Sequence, residues 1–144
     1  MKRTVMLSVA GTQRYVGQEP DTIELLTEGQ LEYVDGGWNI SYEESALTGL
    51  SGVHTLFRIQ PEEITLTRTG TLRSQMVFRK GVAHDSLYQS EFGTLMITVC
   101  ATNIFCQIGS DGGVVDLQYT IEIEKTEAGE IDYHLEIRPI EEKA

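Results

Sequence analysis

Between Val115 and Ile123 apolar and polar residues change places at every step, with Val115, Leu117, Tyr119, Ile121 and Ile123 set against Asp116, Gln118, Thr120 and Glu122. Successive side chains of an extended chain point to opposite faces, so the pattern specifies a strand with one buried and one wet face. The same period of two returns at Ile131, Tyr133, Leu135 and Ile137 against Asp132, His134, Glu136 and Arg138, which predicts a hairpin with Ala128-Gly129-Glu130 as its turn. Strand candidates run through the rest of the chain at Arg3 to Gln13, Asp21 to Asp35, Trp38 to Leu47, Val53 to Ile59, Glu63 to Thr69, Arg73 to Lys80, Leu87 to Phe92 and Thr94 to Ile108. No window of helical length carries a helical period.

The punctuation between these segments is Gly or Pro with polar neighbours, as at Asp35-Gly36-Gly37, Gln60-Pro61-Glu62 and Ser110-Asp111-Gly112-Gly113. None of these clusters precedes a helical pattern, so they read as turns and not as phosphate-binding loops. Many sequential strands joined by short turns admit a sandwich or a closed barrel. The uninterrupted up-and-down order favours an all-β, antiparallel, closed barrel of about 8–10 strands, because closure removes exposed edges. A chain of 144 residues fits one domain spanning residues 1–144, large enough to bury roughly 70% of its unfolded surface without metal or disulfide support.

Twenty-two acidic against eleven basic residues give a formal net charge of −11, a field that repels phosphate backbones and anionic headgroups. Nucleic acid and membrane surfaces are therefore poor partners. The N-terminal segment keeps a strand period at Val5, Leu7 and Val9 and is interrupted by Thr4 and Ser8, which argues against a signal peptide. No run approaches the roughly 18 apolar residues of a membrane helix, and the cytoplasm is the expected compartment. Cys100 and Cys106 fall on one continuous strand about 20 Å apart, too far for a disulfide. Both share the phase of Ile104 and Ile108, so the expectation is a pair of buried free thiols.

The residues that matter most for function are polar ones in apolar phase, since burying an unpaired charge costs several kcal/mol. Glu44 shares a face with Trp38, Ile40, Tyr42 and Ala46, and Arg68 shares one with Ile64 and Leu66. A carboxylate and a guanidinium sent inward invite pairing with each other or with a ligand; an internal ion pair or a place at the barrel mouth is the plain alternative. Tyr42, Tyr119 and Tyr133 also point inward by this count, each bringing a hydroxyl that needs a partner. His54, His84 and His134 are scattered and make no closed zinc pattern, and no cofactor motif is present. His84-Asp85-Ser86 has the residue types of a hydrolase triad, but adjacent residues cannot adopt its geometry.

The ordered set Tyr42-Glu43-Glu44, Leu47-Thr48-Gly49-Leu50, Arg68-Thr69-Gly70, Met76-Val77-Phe78 before Gly81, Tyr88-Gln89-Ser90-Glu91-Phe92-Gly93 and Val115-Asp116-Leu117-Gln118-Tyr119 resembles the YwiB-like family of small bacterial proteins. The resemblance spans nearly the whole chain. It departs at Glu91, where proline would precede the aromatic-Gly pair. It implies a calycin-type, lipocalin-like barrel in a bacterial cytoplasm and no known reaction, and it assigns no role to Glu44 or Arg68. The function expected is a barrel that binds a small amphipathic or anionic ligand among Tyr42, Glu44, Arg68 and Tyr119. The alternative is a packed structural barrel whose surface binds another protein or a second copy of itself. An enzyme ranks third, because no nucleophile, base and orienting group can be assembled.

Overall fold

Alternation on this scale leaves each strand one apolar face, and the chain buries those faces by curling a single sheet on itself. A computed structural model of the chain describes residues 2–44 and 51–140. The strands are β1 (Lys2–Tyr15), β2 (Asp21–Val34), β3 (Gly37–Glu43), β4 (Val53–Gln60) and β5 (Glu63–Gly70). They continue as β6 (Ser74–Phe78), β7 (Ala83–Ser90), β8 (Gly93–Gly109), β9 (Gly112–Ile123) and β10 (Thr126–Pro139). All ladders are antiparallel, in the order β6-β5-β4-β3-β2-β1-β10-β9-β8-β7, so the first and last strands pair in the middle. Among the described residues there is no helix, and so none long and apolar enough to cross a membrane. The part of the expected third strand from Ser45 to Leu47, with Ala46 of its inner face, and the Leu47-Thr48-Gly49-Leu50 motif lie outside the described residues.

The sheet forms a nearly closed barrel whose seam falls between β6 and β7. Arg73 and Gln89 exchange two backbone hydrogen bonds of 2.8 Å at one end, and the Val82 N–H donates to the Arg79 carbonyl at the other. Between these bonds no ladder joins the two strands among the described residues. The inward side chains there do not knit the gap either: Ser74 Oγ, His84 Nδ1 and Ser86 Oγ are buried without a hydrogen-bond partner among the described residues. Local opening is easiest where backbone bonds are few. In hydrogen exchange followed by NMR, the amides of β6 and β7 that face each other should exchange well ahead of those of β1, which is paired on both sides. Equal protection of the two sets would show that the seam is closed in solution.

Three local expectations are corrected. The turn joining β9 and β10 is Glu124-Lys125, with φ of 52° and 66°, which is the two-residue type I′ geometry suited to the twist of a hairpin. Ala128-Gly129-Glu130 is inside β10, where a bulge between Glu127 and Gly129 leaves Ala128 without a partner in β9 while its carbonyl accepts from the Val16 N–H at 2.9 Å. A Cβ on Gly129 would stand 2.2 Å from the Arg14 carbonyl, so the glycine serves close approach of β1 and not a turn. A second bulge, between Ala101 and Asn103, inserts Thr102 into β8 and reverses its phase. Ile97, Val99 and Ala101 face inward before it and Ile104, Cys106 and Ile108 after it, so Cys100 and Cys106 lie on opposite faces. Both are free and only partly buried. Finally, the seventh strand begins at Ala83 and ends at Ser90, while Phe92 sits in the following turn, 92% exposed. β7 borders the seam and buries no residue fully, so its inner face has no apolar stripe to read.

Candidate functional site

The site is set by cross-strand register. Tyr42 in β3 stands opposite Thr55 in β4, and Thr55 stands opposite Arg68 in β5, which places the three in one row on the inner face. Glu44 follows directly after β3, its N–H donating to the Val53 carbonyl at 2.8 Å. Glu44 is 8% exposed and Arg68 9%, so both charges face inward as their phase requires. Thr55 Oγ1 donates to Glu44 Oε2 at 2.5 Å, and Arg68 Nε lies 3.9 Å from that same oxygen. That separation is an ion-pair contact but exceeds a hydrogen bond. Arg68 Nη2 donates to the Tyr133 hydroxyl at 2.7 Å, whereas the Nε–H is buried with no hydrogen-bond partner among the described residues.

Tyr133 belongs to β10, which is separated from β5 by β4, β3, β2 and β1 in one direction and by β6, β7, β8 and β9 in the other. The Arg68–Tyr133 bond therefore spans the barrel. Two aromatic contacts hold the phenols in place: Phe57 meets Tyr133 edge-on at 6.0 Å between centroids, and Phe78 lies against Tyr119 at 4.6 Å.

Around these groups is a cavity of about 380 Å³. Tyr15, Tyr42, Tyr88, Tyr119 and Tyr133 edge it with phenols, Glu44 and Arg68 supply its charges, and Val9, Leu25, Ile97, Ile121 and Ile131 form much of its apolar wall. Burial raises the pKa of Tyr42 well above its ordinary value, and the neighbouring Tyr133 and Glu44 add to the effect. Burial and Tyr133 do the same to Tyr119, and burial with Tyr133 and Tyr88 raises the pKa of Tyr15. Tyr15, Tyr42 and Tyr119 are therefore held in their neutral form at physiological pH. Burial also opposes the charge on Arg68, but Tyr133, Tyr119 and Glu44 more than offset it and the guanidinium stays protonated. The interior thus offers one cation facing one carboxylate, several hydroxyls and an aliphatic wall. Among the described residues, the lining contains no serine, cysteine or histidine.

Tyr42, Glu44, Arg68 and Tyr119, the four residues singled out by phase, all line this cavity. Tyr133, also read as inward, is the partner of Arg68. Tyr15 was missed although it continues the odd phase of Val5, Leu7 and Val9 through Gly11 and Gln13, and that continuation was the available signal. Tyr88 had none, because its strand alternates between polar residues.

The other polar groupings lie outside the cavity. His134 is bracketed on the wet face by Asp116 at 2.5 Å and Glu136 at 3.0 Å, whose hydrogen bonds raise its pKa. Asp132 turns instead to Arg14 at 2.7 Å, and no set of three metal-ligating side chains occurs among the described residues. Asp85 bonds Thr98 and Lys125, which hold its carboxyl below the usual range, so His84-Asp85-Ser86 forms no triad. Burial, helped by Asp116, pushes the Cys106 thiol up to about 11, far from a nucleophile poised at neutral pH.

Fold and cavity together define a small antiparallel β-barrel with an arginine buried at an internal site. The chain belongs to the family described as Domain of unknown function (DUF1934), whose model matches residues 7–137. Its structure is similar to the crystal structure of the ywiB protein from Bacillus subtilis, with a TM-score of 0.85 and 17% identity over 97% of this chain and 94% of that one. At that identity the likeness establishes a shared barrel. No curated protein matches the chain.

Proposed function

We propose that this protein is a non-catalytic binding barrel of the bacterial cytoplasm, used as lipocalin-like barrels are, that holds a small amphipathic molecule inside with its polar end against Arg68. The observation that carries the reading is the buried Nε–H of Arg68, without a hydrogen-bond partner among the described residues and beside a cavity of about 380 Å³. A barrel selected only for stability gains by filling such space with aliphatic side chains and by bonding every buried donor. The volume falls in the range of small-molecule pockets, and a largely apolar wall with a few convergent polar groups is their usual composition. The packed structural barrel is the weaker alternative for the same reason.

The test is titration with the neutral dye N-phenylnaphthylamine, whose fluorescence rises in apolar surroundings. Saturable one-site binding is expected, and it should be lost when Ile97→Trp fills the cavity in a variant that keeps its β circular dichroism. Absence of saturable binding to the folded protein, or binding that survives the filling substitution, would refute an internal site.

A further inference from the structure

We infer that the occupant is a monocarboxylate with an apolar body, its carboxylate held between the Arg68 Nε–H and the Tyr133 hydroxyl. This rests on the reading of the barrel as a binding site and specifies its ligand. Arginine has donors and no acceptor, so in the 2.7 Å contact between Arg68 Nη2 and Tyr133 it is the phenol oxygen that accepts. The Tyr133 proton is then directed elsewhere. The adjacent Nε–H is buried with no hydrogen-bond partner among the described residues. A buried N–H beside a hydroxyl whose oxygen already accepts favours a group that can accept from both, and a carboxylate has two such oxygens.

The charge balance narrows the class further. Arg68 is the one cationic side chain among the described residues lining the cavity, and Glu44 lies 3.9 Å from its Nε. A phosphate monoester would bring a charge of about −1.5 to −2 into a site where that single cation already faces a carboxylate. An ammonium group would meet the guanidinium, and the Glu44 carboxylate that could receive it already faces Arg68 at 3.9 Å and accepts the Thr55 hydrogen bond. A neutral amide could accept from Nε–H, but without the charge assistance that roughly doubles such a bond. A singly charged carboxylate fits best. Its apolar body has Leu25, Ile97, Ile121 and Ile131 to lie against, and Leu95, 42% exposed while also lining the cavity, marks where the wall meets solvent.

Four compounds of one chain length separate the possibilities: decanoate, decanamide, decylamine and decyl phosphate, each used to displace bound N-phenylnaphthylamine at neutral pH and fixed ionic strength. Decanoate should compete about tenfold or more better than decanamide, with the amine and the phosphate weaker still. Tyr133→Phe should reduce the advantage of carboxylate over amide. The double variant Glu44→Gln with Arg68→Met, which strands no charge, should abolish it. Equal competition by decanamide, or stronger competition by the amine or the phosphate, would overturn the inference, as would a carboxylate preference that survives the double variant. If the dye binds inside and none of the four compounds displaces it, the carboxylate assignment fails while the binding barrel stands. If the folded protein binds neither dye nor decanoate, both fail.

Discussion

Arg68→Met or Glu44→Gln alone should lower the stability of the barrel by about 3–5 kcal/mol, and the double variant by clearly less than the sum of the two. The two side chains are 10% and 2% exposed and lie 3.9 Å apart, so removing one leaves the other's charge or polar group buried without its counterpart. Glu44 keeps the Thr55 hydrogen bond and Arg68 the Tyr133 hydrogen bond in these variants, which limits the loss but does not replace the missing charge. Urea denaturation of the four members of the cycle measures the coupling. A coupling on the order of 1 kcal/mol or more supports the pair; strict additivity would mean that each charge is stabilised independently, and the site would then have no shared electrostatics.

Phe57→Ala should cost a similar amount, about 3–5 kcal/mol, through lost burial and the cavity left behind. Phe57 is 2% exposed and braces Tyr133 edge-on. Its removal should therefore also loosen the phenol that bonds Arg68, so that the variant competes poorly for decanoate as well as unfolding early. The midpoint in urea should fall with an unchanged slope. A loss below about 1 kcal/mol would show that the barrel repacks around the gap, and the rigid support claimed for Tyr133 would be wrong.

Period two was enough to orient Glu44 and Arg68, because β3 and β5 run without a bulge and every second side chain faces the interior. It was not enough where the backbone breaks its own period. The bulges at Thr102 and Ala128 each insert one residue, and a single insertion sends all that follows to the other face. Thr102 carries no compositional mark, so Cys100 and Cys106 were assigned one face and occupy two. Gly129 does carry a mark, but glycine signals a turn and a close backbone approach equally well, and the actual turn at Glu124-Lys125 lacks the Asn-Gly or Asp-Gly signature of its type. The site was legible one strand at a time. That Arg68 meets Tyr133 depends on four strands intervening on either side of the barrel, and such a contact follows from closure and not from any local pattern.

If Arg68 presents its Nε–H to a ligand inside the barrel, an NMR titration watching that proton reports it directly. Its resonance is identified by its disappearance in Arg68→Met. Addition of decanoate should move it downfield and slow its exchange with solvent, with one saturable transition shared by resonances of Tyr133 and Ile97. A resonance that stays in place while decanoate saturates the protein, or that is unchanged because decanoate does not bind, would contradict the account.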